Sequence, residues 1–342
     1  MGNRTMALNK AKELAWAIMV DRGMDFDSCR HKMRGFYSRS RSINDEEMKD
    51  HVSRIPAVGD LLYDDNIISR FEKSFAGLIQ SNDLNSCSGL ENFQPDISQG
   101  ATQAFDSFYL RHRGRKLRMF AGEYLYHIVV AKQLGIEWSF LDSADQLGED
   151  DALILSIPFC DTGNLDNELD QILRTCEDKG VPVLLDCAYY TISKDIHLDV
   201  NFKCIDTVTF SLSKTFPIAH ARIGMRYTRP EIQDGQKLHS NINYDNRISA
   251  GIGLHFIDRF RSDHVYKKYQ SLYKAVTDYL ELEPSQTIIF AEGDNEWEQY
   301  GRRDILQAYG LDHDQSMYRN RICVTELLEN EILTRRMIDE TN

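Results

Sequence analysis

The 342-residue chain has no apolar run approaching the roughly 20 residues that a membrane-spanning helix needs. Nor do its seven cysteines, an odd number, include a Cys-x-x-Cys pair. That pattern fits neither a zinc site nor a disulfide framework, so the thiols read as reduced, small hydrophobes. Positive charge is also scarce: 40 Lys and Arg stand against 53 Asp and Glu, a formal charge of −13. Such a balance repels nucleic acid and anionic membranes unless a basic patch is segregated. No Gly-x-Gly-x-x-Gly follows an apolar run, which argues against a dinucleotide-binding Rossmann protein. There is no internal repeat and no low-complexity tract. The uninterrupted core of a signal peptide is missing too, because Lys10, Lys12 and Glu13 break the N-terminal pattern. Leu8, Ala11, Ala15, Ile18 and Met19 fit one face of a helix instead. A cytoplasmic protein is expected.

What is present is ordinary for a soluble enzyme: 42% hydrophobic and 27% charged residues. The length allows one large domain with an appendage, or two domains. The middle of the chain alternates strand and helix patterns. "DALILSIP" (151–158) reads as a buried strand. Leu165, Leu169, Ile172, Leu173 and Cys176 then recur at helical spacing up to Gly180, and "VPVLLDCAYY" follows as another buried strand. Strand, helix and strand in one short stretch predict a parallel sheet with helices on both faces. "KLRMFAG" and "IEWSFLD" read as further strands separated by a helical "EYLYHIVVAKQLG". After about residue 231 long helical patterns take over (248–282), followed by short strands, "QTIIFA" and "NRICVTEL". The expected division is an N-terminal helical segment or arm (1–75), a large α/β domain (76–230) and a small α+β domain (231–342). "YSRSRSINDEEMKDH" is the most loop-like segment. "RHRGRKLR" (111–118) is the densest basic run and reads as a solvated turn, with attraction of an anionic substrate as the alternative.

The chemistry concentrates in "SLSKTFPIAHARIGM" (211–225). In "TVTFSLS", Val208, Phe210 and Leu212 alternate with hydroxyl residues, and Lys214 stands at the end of that strand. A lysine there is either a surface charge or a reacting amine. Open α/β sheets bind ligands beyond the carboxyl ends of their strands. Asp186 and Tyr189 end one strand, Lys214 another, Arg222 opens the next, and Gly100, Ala101 and Thr102 in "SQGATQAF" open a helix. The groups on offer are an acid, a phenol, an amine, a guanidinium and a helix N-terminus.

On "DCAY", "SLSK" and an arginine eight residues after the lysine, the chain resembles the fold-type-I pyridoxal-phosphate enzymes of the aspartate aminotransferase superfamily. The resemblance spans about 98–328. It implies a three-layer, mainly parallel α/β fold with a smaller α+β C-terminal domain, and pyridoxal 5'-phosphate as cofactor. It gives Lys214 the Schiff base and the proton transfer, Asp186 the pyridinium nitrogen, and Tyr189 the ring's phenolic oxygen. Arg222 would hold the phosphate with Ser211, Ser213 and the helix N-terminus at Gly100, Ala101 and Thr102. Tyr124 in "GEYLYH" is similar to the residue that stacks on the ring, with Tyr126 as the alternative, and His127 to the histidine that orients the aspartate. In "YRNRICVTEL", Arg321 matches the arginine that grips the substrate carboxylate, with Arg319 as the competitor. Where the family has an Asn-Pro-x-Gly turn, this chain has "FCDTGN", so Cys160 or Asp161 stands at the asparagine position. Asn164 either takes that contact over or caps the following helix. The implied function is an aminotransferase acting between an amino acid and a 2-oxo acid. A decarboxylase, lyase or cyclase of the same fold, or a non-catalytic binding protein, are the alternatives. A homodimer is implied as well, with Tyr63 in "GDLLYDDN" reaching the partner's phosphate. Arg247 is a further candidate for a substrate side-chain carboxylate, or a solvated charge.

Overall fold

The computed structural model describes residues 2–300 and 320–341. Helices α1 (Gly2–Asp21), α2 (Phe26–Phe36), α3 (Glu46–Val52), α4 (Val58–Tyr63) and α5 (Ile67–Gln80) come first. The middle runs β1 (Ser86–Ser88), β2 (Gln94–Ser98), α6 (Ala101–Arg111), β3 (Lys116–Phe120), α7 (Tyr126–Leu134), β4 (Trp138–Leu141) and β5 (Asp151–Ser156). It continues with α8 (Leu169–Lys179), β6 (Val183–Asp186), β7 (His197–Asp199), β8 (Ile205–Ser211) and β9 (Gly224–Thr228). Then follow α9 (Gly235–Asn241), α10 (Arg247–Ile257), α11 (His264–Tyr279), β10 (Glu283–Pro284), β11 (Phe290–Gly293), β12 (Asn320–Cys323) and the helices Thr325–Glu329 and Glu331–Thr341. No helix among the described residues is long and apolar enough to cross a membrane.

Seven strands form one sheet in the order β2-β9-β8-β6-β5-β3-β4. All are parallel except β9, which runs against both β2 and β8. Strand pleating sends alternate side chains to opposite faces. In β5, Ala152 and Ile154 join Leu184 of β6 in a core with Phe105 and Phe108 of α6 and Ile128 of α7. Leu153 and Leu155 join Val183 and Leu185 in a second core with Ile172, Leu173 and Cys176 of α8. Burial on both faces makes the middle strands read as unbroken apolar runs, and it gives the three layers. The α8 helix ends where Gly180 takes φ +64°, a left-handed cap that glycine adopts without Cβ strain.

The N-terminal helices do not stand apart. α1 packs against Thr325–Glu329 and Glu331–Thr341, and the Tyr37 hydroxyl donates to the Ala11 carbonyl at 2.7 Å. β10, β11 and β12 form a three-stranded antiparallel sheet. Several sequence expectations are corrected in detail. The helical stretch 248–282 is two helices, α10 and α11, because the chain turns through Arg259–Asp263. "QTIIFA" is a strand only from Phe290, since the Thr287 amide is drawn to the Gly163 carbonyl at 2.9 Å. The basic run is a turn with Arg113 and Gly114 exposed, but other members of it are paired. Arg111 pairs with Asp206 and Asp234, His112 with Asp206, and Arg118 with Asp151, at 2.6–3.2 Å.

Candidate active site

β6 ends in Asp186, whose backbone register partners are Ser156 on β5 and Thr209 on β8. The carboxyl is buried, and its Oδ1 accepts from the Ala188 amide at 3.1 Å. Burial pushes it up to about 7, against the pull of that amide and of Lys214. β8 ends in Ser211, and the turn after it is closed by the Phe216 amide on the Leu212 carbonyl at 3.1 Å. This turn delivers Lys214 to the carboxyl end of the sheet. The Lys214 Nζ donates to the Ser40 carbonyl at 2.8 Å and lies 5.9 Å from the centre of the Tyr189 ring. Burial holds its amine below the ordinary lysine value. Arg321 pushes the same way, while Cys323, Cys160 and Asp186 oppose it. The amine, the acid, the phenol and the C-terminal arginine therefore share one neighbourhood.

Arg321 lies buried on β12. Its Nη1 donates to the Cys160 carbonyl at 2.5 Å and is 3.8 Å from the Cys160 sulfur, and its guanidinium lies 4.3 Å from the centre of the Phe290 ring. Among the described residues, both of these partners are neutral. Arg319 lies outside the described residues.

A second cluster adjoins the first. Arg222 adopts φ +50° and sends Nη1 to the Ser213 hydroxyl at 3.3 Å. Its Nη2 reaches the Gln99 carbonyl and the Thr102 hydroxyl, each at 3.3 Å. Ser211 donates to Ser213 at 2.9 Å. The first turn of α6 opens here, with no side-chain cap and no acidic residue, and its Thr102 meets the guanidinium. Gly100 at φ +68° makes the approach possible: a Cβ there would sit 2.5 Å from Arg222 Nη2. Three hydroxyls, a guanidinium and a helix N-terminus thus come together, a donor set that could hold an anion.

Tyr124 is exposed beside these clusters, edge-on to His127 at 6.0 Å and stacked on Tyr126. Tyr126 is tied by its hydroxyl to Asp106 at 2.9 Å. His127 is buried, with Nδ1 2.5 Å from the Tyr109 hydroxyl.

Two expectations do not hold in this arrangement. Asn164 is not brought to the clusters. Its Nδ2 donates to Glu292 at 3.1 Å and its Oδ1 accepts from the Gln286 amide at 2.7 Å, so its polar atoms tie two loops together. It does not cap α8 either, because that helix starts at Leu169 behind Glu168. Arg247 opens α10 and bonds Asp65 at 3.0 Å and the Leu62 carbonyl at 2.9 Å, which uses its charge locally. Tyr63 is 86% exposed on α4. The residue that sequence reasoning missed is Ser40, inside the segment read as loop. Its contacts span 149 and 174 positions of chain, and no local pattern carries them.

No protein-family model matches the chain, and no curated protein matches its sequence. Solved structures do share its fold. An aromatic aminotransferase from Pyrococcus horikoshii OT3 is 14% identical, with a TM-score of 0.63, covering 89% of this chain and 94% of that one. A PLP-bound C-S lyase from Staphylococcus hominis is 11% identical at a TM-score of 0.61, over 89% and 90%. Histidinol-phosphate aminotransferase from Sinorhizobium meliloti, in complex with pyridoxal-5'-phosphate, is 14% identical at 0.58, over 90% and 91%. The chain thus has the three-layer, mainly parallel α/β fold of the fold-type-I pyridoxal-phosphate enzymes.

Proposed function

We propose that the protein is a pyridoxal 5'-phosphate-dependent aminotransferase, moving an amino group between an amino acid and a 2-oxo acid. The observation that carries the reading is the meeting of Lys214, Asp186 and Arg321 at one point, beside the anion cradle of Arg222. The residues fit the group: a cradle with no room for a Cβ at Gly100, an amine held below its ordinary value, and a buried acid. When bound, the group supplies a carbonyl for an amine to attack and an electron sink for the bond broken at the substrate's α-carbon.

The chain's own residues would do the rest. Lys214, whose amine burial holds below the ordinary lysine value, would be the nucleophile and would carry the α-proton. Asp186 would regain its negative charge beside a protonated ring nitrogen, which offsets the cost that burial imposes on the carboxylate. Tyr189 would donate to the ring's oxygen. Arg222, Ser211, Ser213 and the amides of Ala101 and Thr102 would hold the phosphate, and Tyr124 would cover the ring, with His127 behind it. Arg321 would grip the substrate carboxylate in a planar fork.

A second reading, a lyase of the same fold, is favoured by the likeness to the C-S lyase from Staphylococcus hominis. We also take the protein to be a cytoplasmic homodimer; all seven cysteines are free thiols. The test is visible absorbance with pyridoxal phosphate, before and after borohydride. A yellow band that borohydride fixes to Lys214, and that Lys214→Ala does not form in this covalent manner, is expected. Amino acid should then remove the band and yield its 2-oxo acid only in stoichiometric amount until an oxo-acid acceptor is added. Steady release of pyruvate or carbon dioxide without acceptor would make it a lyase or decarboxylase. A protein that takes up no pyridoxal phosphate would end both readings.

A further inference from the structure

The segment between α2 and α3 lies across the clusters as a strap. At one end the Tyr37 carbonyl accepts from the Cys323 amide at 2.6 Å. Beyond Ser40, Arg41 pairs with Glu326 at 2.9 Å and with Glu329, and Asn44 donates to Glu329 at 3.0 Å. Arg22 adds a second cation on Glu326 at 2.7 Å. These contacts pin residues 37–44 to the chain that directly follows Arg321. Between the pins Ser40 makes two contacts with the reacting groups. Its carbonyl accepts from Lys214 Nζ at 2.8 Å, and its hydroxyl is 2.9 Å from the Tyr189 hydroxyl.

We propose that Ser40 is a positioning residue for the reacting centre: its hydroxyl donates to the Tyr189 phenol oxygen, so that the phenol hydrogen is directed at the acceptor in the cleft. The proposal rests on the pyridoxal-phosphate reading, which makes that acceptor the anionic ring oxygen of the cofactor. A phenol has one hydrogen to give. If Tyr189 gave it to Ser40, none would remain for the ring oxygen. With Ser40 as donor, the two hydroxyls form a polarised chain in which each bond strengthens the next. The pinned backbone fixes where the serine oxygen lies, so little side-chain freedom is lost in holding it there.

Two measurements on Ser40→Ala and Ser40→Thr test this. In the cofactor-free protein with 13Cζ-labelled tyrosine, the Tyr189 resonance is assigned by its loss in Tyr189→Phe. It is expected to shift in Ser40→Ala and to return in Ser40→Thr. In the protein loaded with pyridoxal phosphate, Ser40→Ala is expected to raise the pH midpoint of the visible-band transition by about 0.5 unit, the size of one weak hydrogen bond. Ser40→Thr restores it. kcat should fall about threefold in Ser40→Ala with KM unchanged, the pattern of an interaction made at the reacting centre. A Tyr189 resonance or a midpoint that Ser40→Ala leaves in place overturns the proposal while the functional reading stands. A wild-type protein with no visible band overturns the functional reading, and the proposal with it.

Discussion

Asp186 gives the cofactor-free protein a stability that depends on pH. Burial pushes its carboxyl up to about 7 in the folded protein, from an ordinary value of 3.8. Between those values the folded state keeps a proton that the unfolded state has lost, so this group's contribution to stability falls as pH rises through the window. The span corresponds to something on the order of 4 kcal/mol. Thermal unfolding of the cofactor-free protein should therefore lose more Tm between about pH 4 and pH 7, the window of that linkage, than Asp186→Asn does. Equal slopes would remove the buried carboxyl as the cause. On the proposed function, Arg321 would act on the substrate instead of on stability. Replacing it with Gln deletes one partner of a desolvated charge pair, a loss of about 2–5 kcal/mol when the other partner is bound. kcat/KM for an amino acid should fall roughly a hundredfold or more, and a smaller fall would move the carboxylate clamp elsewhere. Gly100→Ala tests the anion cradle. The residue sits at φ +68°, ψ −173°, a region essentially reserved for glycine, and its new Cβ would displace the Arg222 guanidinium. Equilibrium dialysis should show pyridoxal phosphate bound about tenfold more weakly, the effect of one strained charge-assisted contact.

At the scale of elements, the strap depends on its pins. Arg41→Ala removes the pairs to Glu326 and Glu329 while leaving Ser40 unchanged. Cleavage within residues 38–44 by a protease in trace amount should become several-fold faster, because local opening free energy sets that rate. An unchanged rate would mean that the contacts of Tyr37 with Cys323, Asn44 with Glu329 and Ser40 with Lys214 hold the strap without Arg41. The strap also marks the limit of what local sequence pattern carries. Strands β5 and β6 were legible because burial on both faces writes continuous apolar runs, and β8 because apolar and hydroxyl residues alternate; Asp186 ends β6, while Lys214 follows the end of β8 in the turn after Ser211. "YSRSRSIND" was legible as loop and no further, since the partners of Ser40 and Arg41 lie far along the chain. The same holds for Asn164, whose fate is decided by Gln286 on another loop and Glu292 on β11. Local periodicity also passes over turns such as the one at Arg259–Asp263, where polar residues interrupt an otherwise helical stretch without glycine or proline.

For the whole molecule, the surface around α4, α9 and the start of α10 bears on assembly. Val58, Leu62, Tyr63, Leu238, Ile242 and Tyr244 are 43–86% exposed. Leu62, Ile242 and Tyr244 border a hollow of about 500 Å³. Single exposed apolar residues are ordinary, whereas a group of them suits a surface that a partner covers. Tyr244, Asp245 and Asn246 line this hollow and also the cleft that holds Ser98, Gln99 and Arg222. A second copy seated on the patch would therefore stand at the mouth of the anion cradle, and Tyr63 is the phenol most free of its own chain to enter it. The chain's net charge of −13 opposes association, so the apolar contact has to outweigh that repulsion, and added salt should tighten it. Sedimentation of the wild type is expected to give twice the mass of the chain. Tyr63→Asp combined with Tyr244→Asp places two further negative charges in the interface, and should yield monomers with an unchanged far-ultraviolet spectrum. If the partner's phenol completes the cradle, those monomers bind pyridoxal phosphate at least tenfold more weakly, the loss of about one charge-assisted hydrogen bond. A wild-type monomer that carries the cofactor and turns over at full rate would show that each chain closes its own site.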